Sequence, residues 1–153
     1  MSRIRKILLG FLLVFIAIQF IRPADIKSSR DLSNDFDSLF AVPAGMQAIL
    51  QNACYDCHSN RTIYPWYTAI QPIGWVMARH IKNGKEKLNF SGFGNNTKRK
   101  QISKLKEMVN QVKDNEMPLL SYKLMHRKAR LSAQDKTMLR EWLTTTADSL
   151  ENK

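Results

Sequence analysis

The sequence is poor in cysteine and histidine, and both shortages restrict what the chain can be. Its only two cysteines, Cys54 and Cys57, lie three positions apart, so no disulfide framework can hold the chain together. Apart from His58 there are two histidines, His80 and His126, and neither has a Cys or His partner at zinc-finger spacing. No strand-like alternation precedes Cys54, which argues against a thioredoxin-like redox pair.

The two cysteines belong to the segment Cys54–His58, which reads CYDCH. Two cysteines on one helical turn can form thioethers with the two vinyl groups of a haem, and the histidine that follows can ligate the iron. C-x-x-C-H is therefore the pattern of a c-type haem attachment site. The alternatives are a disulfide-bonded or zinc-bearing interaction module, but a simple disulfide leaves His58 without a role.

The N-terminal 22 residues have the pattern of an export signal. Arg3, Arg5 and Lys6 precede an apolar run from Ile7 to Phe20, and no small-x-small cleavage site follows. At about 15 residues the run is shorter than the ~20 that a spanning helix needs. We expect residues 1–22 to be an uncleaved signal anchor, with a cleaved signal peptide as the alternative. The basic flank then places the folded part on the periplasmic side of the bacterial cytoplasmic (inner) membrane, where haem is attached covalently.

The chain is strongly basic, with 24 Lys and Arg against 13 Asp and Glu. Four of the basic residues lie within positions 1–22 and all the acidic ones lie beyond, so the remainder carries 20 against 13, a net charge of +7. This excess predicts an acidic redox partner protein or an anionic membrane surface, and part of it can offset haem propionates. Export argues against nucleic acid as the partner.

Beyond the signal, polarity and periodicity predict a polar tether over residues 23–43 and one all-α domain over residues 44–150. The tether includes Phe36, Leu39 and Phe40, which are apolar enough to pack on the domain. Gly84 is expected to end the second helix of the domain, and Ser132 opens the last one with a capping box. The four amphipathic helices have their apolar positions at Met46, Ile49, Leu50 and Ala53; at Ile73, Val76, Met77, His80 and Ile81; at Ile102, Leu105, Val109 and Val112; and at Met138, Leu139, Trp142 and Leu143.

Several blocks in this order resemble the bacterial membrane-anchored haem-binding domain family, whose members are small C-x-x-C-H proteins. The resemblance covers roughly residues 45–145 and implies a cytochrome c-like helical domain around one haem. It departs at Arg127, where the family has proline, and at Leu119–Leu120, where the family often has a Pro-aromatic step. The matching blocks are CYDCHSN at 54–60, YPWY at 64–67, Pro72 to Trp75, His80-Ile81, LNFS at 88–91, Glu116-Met117-Pro118, Tyr122, His126, Ala129, Leu131-Ser132 and Trp142.

His58 is the proximal iron ligand by motif, and the opposite ligand is open to several residues. Met117 is favoured because a loop methionine before the terminal helix usually fills this role in class I cytochromes c. His126, Met125 and His80 are the alternatives, and Trp66 and Tyr67 are expected to touch the haem.

A His/Met pair raises the reduction potential and leaves no place for substrate, so we expect an electron carrier rather than an enzyme. An open or displaceable sixth site would instead indicate a haem-based sensor or a peroxidase-like enzyme.

Overall fold

In the computed structural model the chain is described over residues 2–23 and 34–152, and these ranges are helical and contain no strand. This confirms the all-α class that the 3.6-residue periodicity predicts. Three short 3₁₀ helices occupy Trp66–Ala69, Phe90–Asn95 and Arg127–Ala129. The α-helices are α1 (Arg3–Ile18), α2 (Phe36–Leu39), α3 (Ala44–Ala53), α4 (Tyr55–His58), α5 (Ile73–Lys87), α6 (Lys98–Lys113), α7 (Leu120–Met125) and α8 (Ala133–Glu151).

Helix α1 corresponds to the apolar run of the export signal. It has 16 residues, begins with a cap in which the Ser2 hydroxyl accepts from the Arg5 N–H, and contains no buried residue. None of the helices described is long and apolar enough to cross a membrane. The membrane-anchor helix expected over residues 1–22 is therefore not found among the described residues.

The folded domain begins earlier than residue 44. Phe36 is fully buried and its ring contacts those of Phe90, Phe93 and Trp142 at centroid distances of 5.0–5.9 Å. Asp35 caps α2 and is itself buried. Residues 34–43 thus belong to the domain rather than to the tether, while positions 24–33 of the expected tether lie outside the described residues.

The core is built mainly by α6 packing on α8. The two helices are antiparallel, because Lys106 pairs with Glu151 at one end and Lys136 bonds Asn115 at the other. The capping box of α8 is present, since Ser132 and Asp135 exchange hydrogen bonds. The interior consists of apolar side chains from α2, α3, α6, α8 and the 90–95 turn, among them Leu50, Phe90, Phe93, Leu105, Leu139 and Leu143.

Helix α5 differs from its sequence pattern in two ways. It continues past Gly84 to Lys87, so the prediction that Gly84 ends it is wrong. Its buried residues are Gly74, Ile81 and Gly84, whereas Ile73 and Val76 are 46% and 50% exposed. At two inner positions α5 packs so closely on its neighbours that only glycine fits, Gly74 against Thr68 and Gly84 against Cys57.

Candidate haem site

The C-x-x-C-H segment consists of Cys54 and the single-turn helix α4, and it directly follows helix α3. Helix α3 ends at Ala53, Cys54 adopts φ −126° and ψ −42°, and the chain then enters α4. The N–H groups of Cys57 and His58 both donate to the Cys54 carbonyl, at 3.2 and 3.0 Å. The two thiols are not joined to each other. These backbone hydrogen bonds thus hold both cysteines and the histidine on a single turn of the chain.

The imidazole of His58 is held by backbone carbonyls from the end of α5. Its Nδ1 lies 3.0 Å from the Gly84 oxygen and 3.0 Å from the Leu88 oxygen. A carbonyl can only accept, so Nδ1 carries the proton and Nε2 keeps a free lone pair. Burial lowers the pKa of the ring, which favours the neutral form. Metal-binding histidines are commonly oriented by a hydrogen bond of this kind.

Gly84 is required by the close approach of α5 to this turn. A Cβ at position 84 would lie 2.6 Å from the carbonyl oxygen of Cys57, which is backbone and cannot swing aside. The same close approach brings the Gly84 carbonyl to His58. The glycine therefore positions the histidine, a role that its sequence context did not indicate.

Two cavities meet at His58. The first has a volume of about 110 Å³ and the second about 220 Å³, and each is partly open to solvent. Cys54 lines the first cavity and Cys57 the second. Because Ala53, His58, Lys87 and Met117 line both, the two cavities form one cleft across the C-x-x-C-H turn.

The walls of this cleft are mainly apolar, and its charged residues are few. Leu88, Phe90, Met108, Val112 and Leu139 line the first cavity, together with the charged Lys87, Lys104 and Glu107. Burial raises the pKa of Cys54 to about 12 and that of Cys57 to about 11, so both thiols are protonated at neutral pH. An apolar cleft with two thiols, a neutral imidazole and nearby lysines fits a haem, which is a flat apolar ring with two propionates.

Met117 lies in the cleft because of the way α6 ends. Asn115 takes the left-handed conformation with φ 60°, which asparagine tolerates better than most residues. The N–H groups of Glu116 and Met117 then fold back on the Gln111 carbonyl, at 3.0 and 3.2 Å. Met117 thereby lines both cavities, as His58 does.

The other candidate ligands differ in their positions. His80 lines the second cavity, together with His58. His126 lines neither cavity: it stacks on Tyr122 at 4.0 Å, and its Nε2 lies 3.2 Å from the Tyr67 hydroxyl. Met125 is 59% exposed and also lies outside the cleft.

The two aromatic residues expected to touch the haem are placed elsewhere. Tyr67 is buried beside His126 and does not line the cleft. Trp66 is 76% exposed at the protein surface.

Two hydrogen-bonded groups lie around the motif, and the sequence did not indicate the partners in either of them. Asp56, between the two cysteines, accepts from the Tyr122 hydroxyl at 2.6 Å and from the Ile63 N–H at 3.0 Å. Tyr122 also lines the second cavity. The position of Asp56 inside the motif was the available signal, but its partner lies 66 residues away along the chain.

Arg61 forms the second group. Its guanidinium bonds Asp35 and Asp37, the latter at 3.0 Å, and lies over the ring of Tyr55 at 5.4 Å. The Tyr55 hydroxyl donates to Asp37 as well. This group fastens the 34–40 segment to the helix of the motif, so Arg61 is occupied by carboxylates of its own chain.

A helical domain with this cleft defines a cofactor-binding protein of the haem class. The family model described as Haem-binding domain matches residues 13–145. The chain therefore belongs to the haem-binding domain family, and the match begins well before the C-x-x-C-H blocks, within α1. Comparison with curated proteins and with solved structures gives no match.

Proposed function

We propose that this haem-binding protein is a monohaem c-type cytochrome that transfers single electrons. Cys54 and Cys57 would hold the haem through thioethers, and His58 would bind the iron through Nε2. The observation that carries the proposal is the fixed imidazole: its Nδ1 is occupied by the Gly84 and Leu88 carbonyls. Only Nε2 remains for a metal, beside two free thiols.

Met117 is the residue that we propose would serve as the second ligand of the iron. It shares both cavities with His58, and its loop is anchored to the end of α6. A thioether is a soft, neutral ligand that suits haem iron and raises its potential. His80 is the strongest rival because it too lines the second cavity. His126 and Met125 are disfavoured by their positions outside the cleft.

Electron transfer follows from a complete coordination sphere. The haem would supply an iron that changes between its ferrous and ferric states without bond making. With His58 and Met117 both bound, no position is left for a substrate, which argues against a sensor or a peroxidase-like enzyme. Lys87 and Lys104 lie at the cleft, and the excess of basic residues would favour an acidic redox partner.

We also propose that the protein is exported and stays attached to the cytoplasmic membrane, with the haem domain on the periplasmic side. The basic residues before α1 and the apolar run support this proposal. Covalent attachment of haem on that side is consistent with it.

An absorption spectrum of the purified, reduced protein tests the proposed function. Sharp α and β bands of a low-spin haem are expected, because two protein ligands give a strong field. A broad high-spin spectrum would instead indicate an open sixth site and favour the sensor or peroxidase alternative. A protein that contains no haem after maturation in a host that attaches haem c would contradict both.

A further inference from the structure

The haem domain exposes many apolar side chains within one short segment of its sequence. Across residues 34–152, eleven large hydrophobic side chains are exposed, and six of them fall between positions 63 and 76. We call this the 63–76 surface. Its members are Ile63 (75% exposed), Tyr64, Trp66 (76%), Ile70, Ile73 and Val76.

The outward direction of this surface follows from the packing of α5. A Cβ at Gly74 would lie 2.3 Å from the Thr68 carbonyl oxygen, so the side of α5 that faces the preceding loop admits only glycine. Ile73 and Val76, which complete the apolar pattern of the helix, face away from the core. Apolar groups concentrated at a surface in this way mark an interaction site.

The 63–76 surface is joined to the end of α1. The Gln19 side chain bonds the backbone of Gln71 twice, accepting from its N–H at 2.9 Å and donating to its carbonyl at 3.2 Å. The Trp75 indole donates to the Ile21 carbonyl at 2.8 Å. Gln71 is only 1% exposed, so this junction is fixed in the domain. Helix α1 and the 63–76 surface are therefore continuous.

The occupant that fits this continuous surface is lipid. Helix α1 is apolar over most of its length and has no residue buried against protein, so its side chains need a non-aqueous environment. Tryptophan and tyrosine are enriched at the interface between membrane and water. Arg79, exposed one turn beyond Val76 on α5, lies where it can meet lipid phosphates.

We infer that the 63–76 surface rests on the bilayer to which α1 attaches, so that the haem domain is docked on the membrane. This rests on the membrane attachment proposed above, not on the haem. A domain held only by a flexible coil of about 20 residues would instead stand roughly 25 Å from the membrane.

Photolabelling by lipid tests this inference. The full-length, haem-loaded chain is placed in nanodiscs of phosphatidylethanolamine and phosphatidylglycerol, one chain per disc, with a diazirine on the acyl chains. After irradiation, mass spectrometry should find lipid on α1 and on the 63–76 peptide. Helix α7 is the internal control: Leu120 and Leu124 are 70% and 65% exposed but do not belong to the 63–76 surface, and they should stay unlabelled.

Two variants make the test specific. Ile63→Asp should reduce labelling of the 63–76 peptide several-fold, whereas Leu124→Asp, at a similarly exposed position, should not change it. Labelling confined to α1 would overturn the inference, because the domain would then stand away from the bilayer. A second copy cannot cover the surface in discs that hold one chain. Failure to enter the discs would overturn the membrane attachment as well, while haem staining of the same sample reports on the haem separately.

Discussion

The Tyr122 hydroxyl donates a 2.6 Å hydrogen bond to the carboxylate of Asp56, the residue between the two haem-motif cysteines. This bond joins α7, which follows the Met117 loop, to the turn that carries His58. It is a charge-assisted bond in a partly buried position and so contributes more than a neutral one.

Tyr122→Phe should destabilise the domain by about 1–3 kcal/mol, because the Asp56 carboxylate loses one of its two donors. Urea denaturation of the haem-loaded protein measures the change. Tyr67→Phe is the matched control, since it removes a 3.2 Å contact with the His126 ring and leaves the Asp56 carboxylate untouched. Equal losses of unfolding free energy in the two variants would show that the Tyr122–Asp56 hydrogen bond contributes no more than the Tyr67–His126 contact.

The same bond predicts a dependence of stability on alkaline pH. Burial and the Asp56 hydrogen bond raise the pKa of Tyr122 above its ordinary value of 10. The unfolded chain therefore loses the phenolic proton first, and the contribution of Tyr122 is complete below pH 10 and declines as pH rises beyond it. As the pH rises above 10, the free energy of unfolding should fall less steeply in Tyr122→Phe than in the wild type. An identical slope in the wild type would contradict this assignment.

Gly84→Ala should separate α5 from the C-x-x-C-H turn, since the new Cβ would lie 2.6 Å from the Cys57 carbonyl oxygen. We expect a loss of about 1–3 kcal/mol from overpacking and a changed haem spectrum as the His58 hydrogen bond shifts. Gly45→Ala in α3 is the control: a Cβ there meets nothing within 4 Å, and alanine favours a helix by up to ~1 kcal/mol. A neutral Gly84→Ala would show that the close approach is not required.

Arg61→Ala should leave the buried Asp35 without its cation. Asp35 is 2% exposed, and loss of one partner of such a pair costs about 3 kcal/mol. Lys106→Ala is the comparison, because its pair with Glu151 is exposed on both sides and should contribute nothing measurable. Thermal unfolding of the two variants provides the test, and similar midpoints would argue that the 34–40 segment is not held by Arg61.

Regular elements of this fold could be predicted from the sequence because their signals are local. Leu105 and Val112 of α6 and Leu139 and Leu143 of α8 occupy the buried positions that their spacing predicts. The capping box at Ser132 is equally local. Phe36 lies in a polar stretch, and its apolar side chain indicated packing on the domain but not the fully buried position among Phe90, Phe93 and Trp142 that the structure shows. Other contacts between residues that are far apart in the sequence likewise leave no local pattern from which they could be predicted.

Within the candidate site, Cys54, Cys57 and His58 are evident from their motif alone. The carbonyls that orient His58 belong to Gly84 and Leu88, 26 and 30 residues further along the chain. No local sequence pattern predicts these contacts. Gly84 was interpreted as a helix end because a glycine that permits close packing has the same sequence signature. The short helix α7 has too few residues for its periodicity to be read.

Met117→Ala should open the sixth position if Met117 binds the iron. The ferric charge-transfer band that reports methionine ligation should disappear and added ligands should bind readily, while the haem stays attached. Met125→Ala, His126→Ala and His80→Ala should leave the band in place. Loss of the band in Met125→Ala but not in Met117→Ala would contradict the assignment. So would a wild type that lacks the band and is opened by His80→Ala or His126→Ala.

Covalent attachment of one haem through Cys54 and Cys57 is the central claim, and the mass of the denatured protein tests it most directly. The chain is produced with a system that attaches haem c, unfolded in acid and weighed by mass spectrometry. The wild type should retain the mass of one haem, and Cys54→Ala combined with Cys57→Ala should retain none. Complete loss of haem from the unfolded wild type would contradict the c-type site.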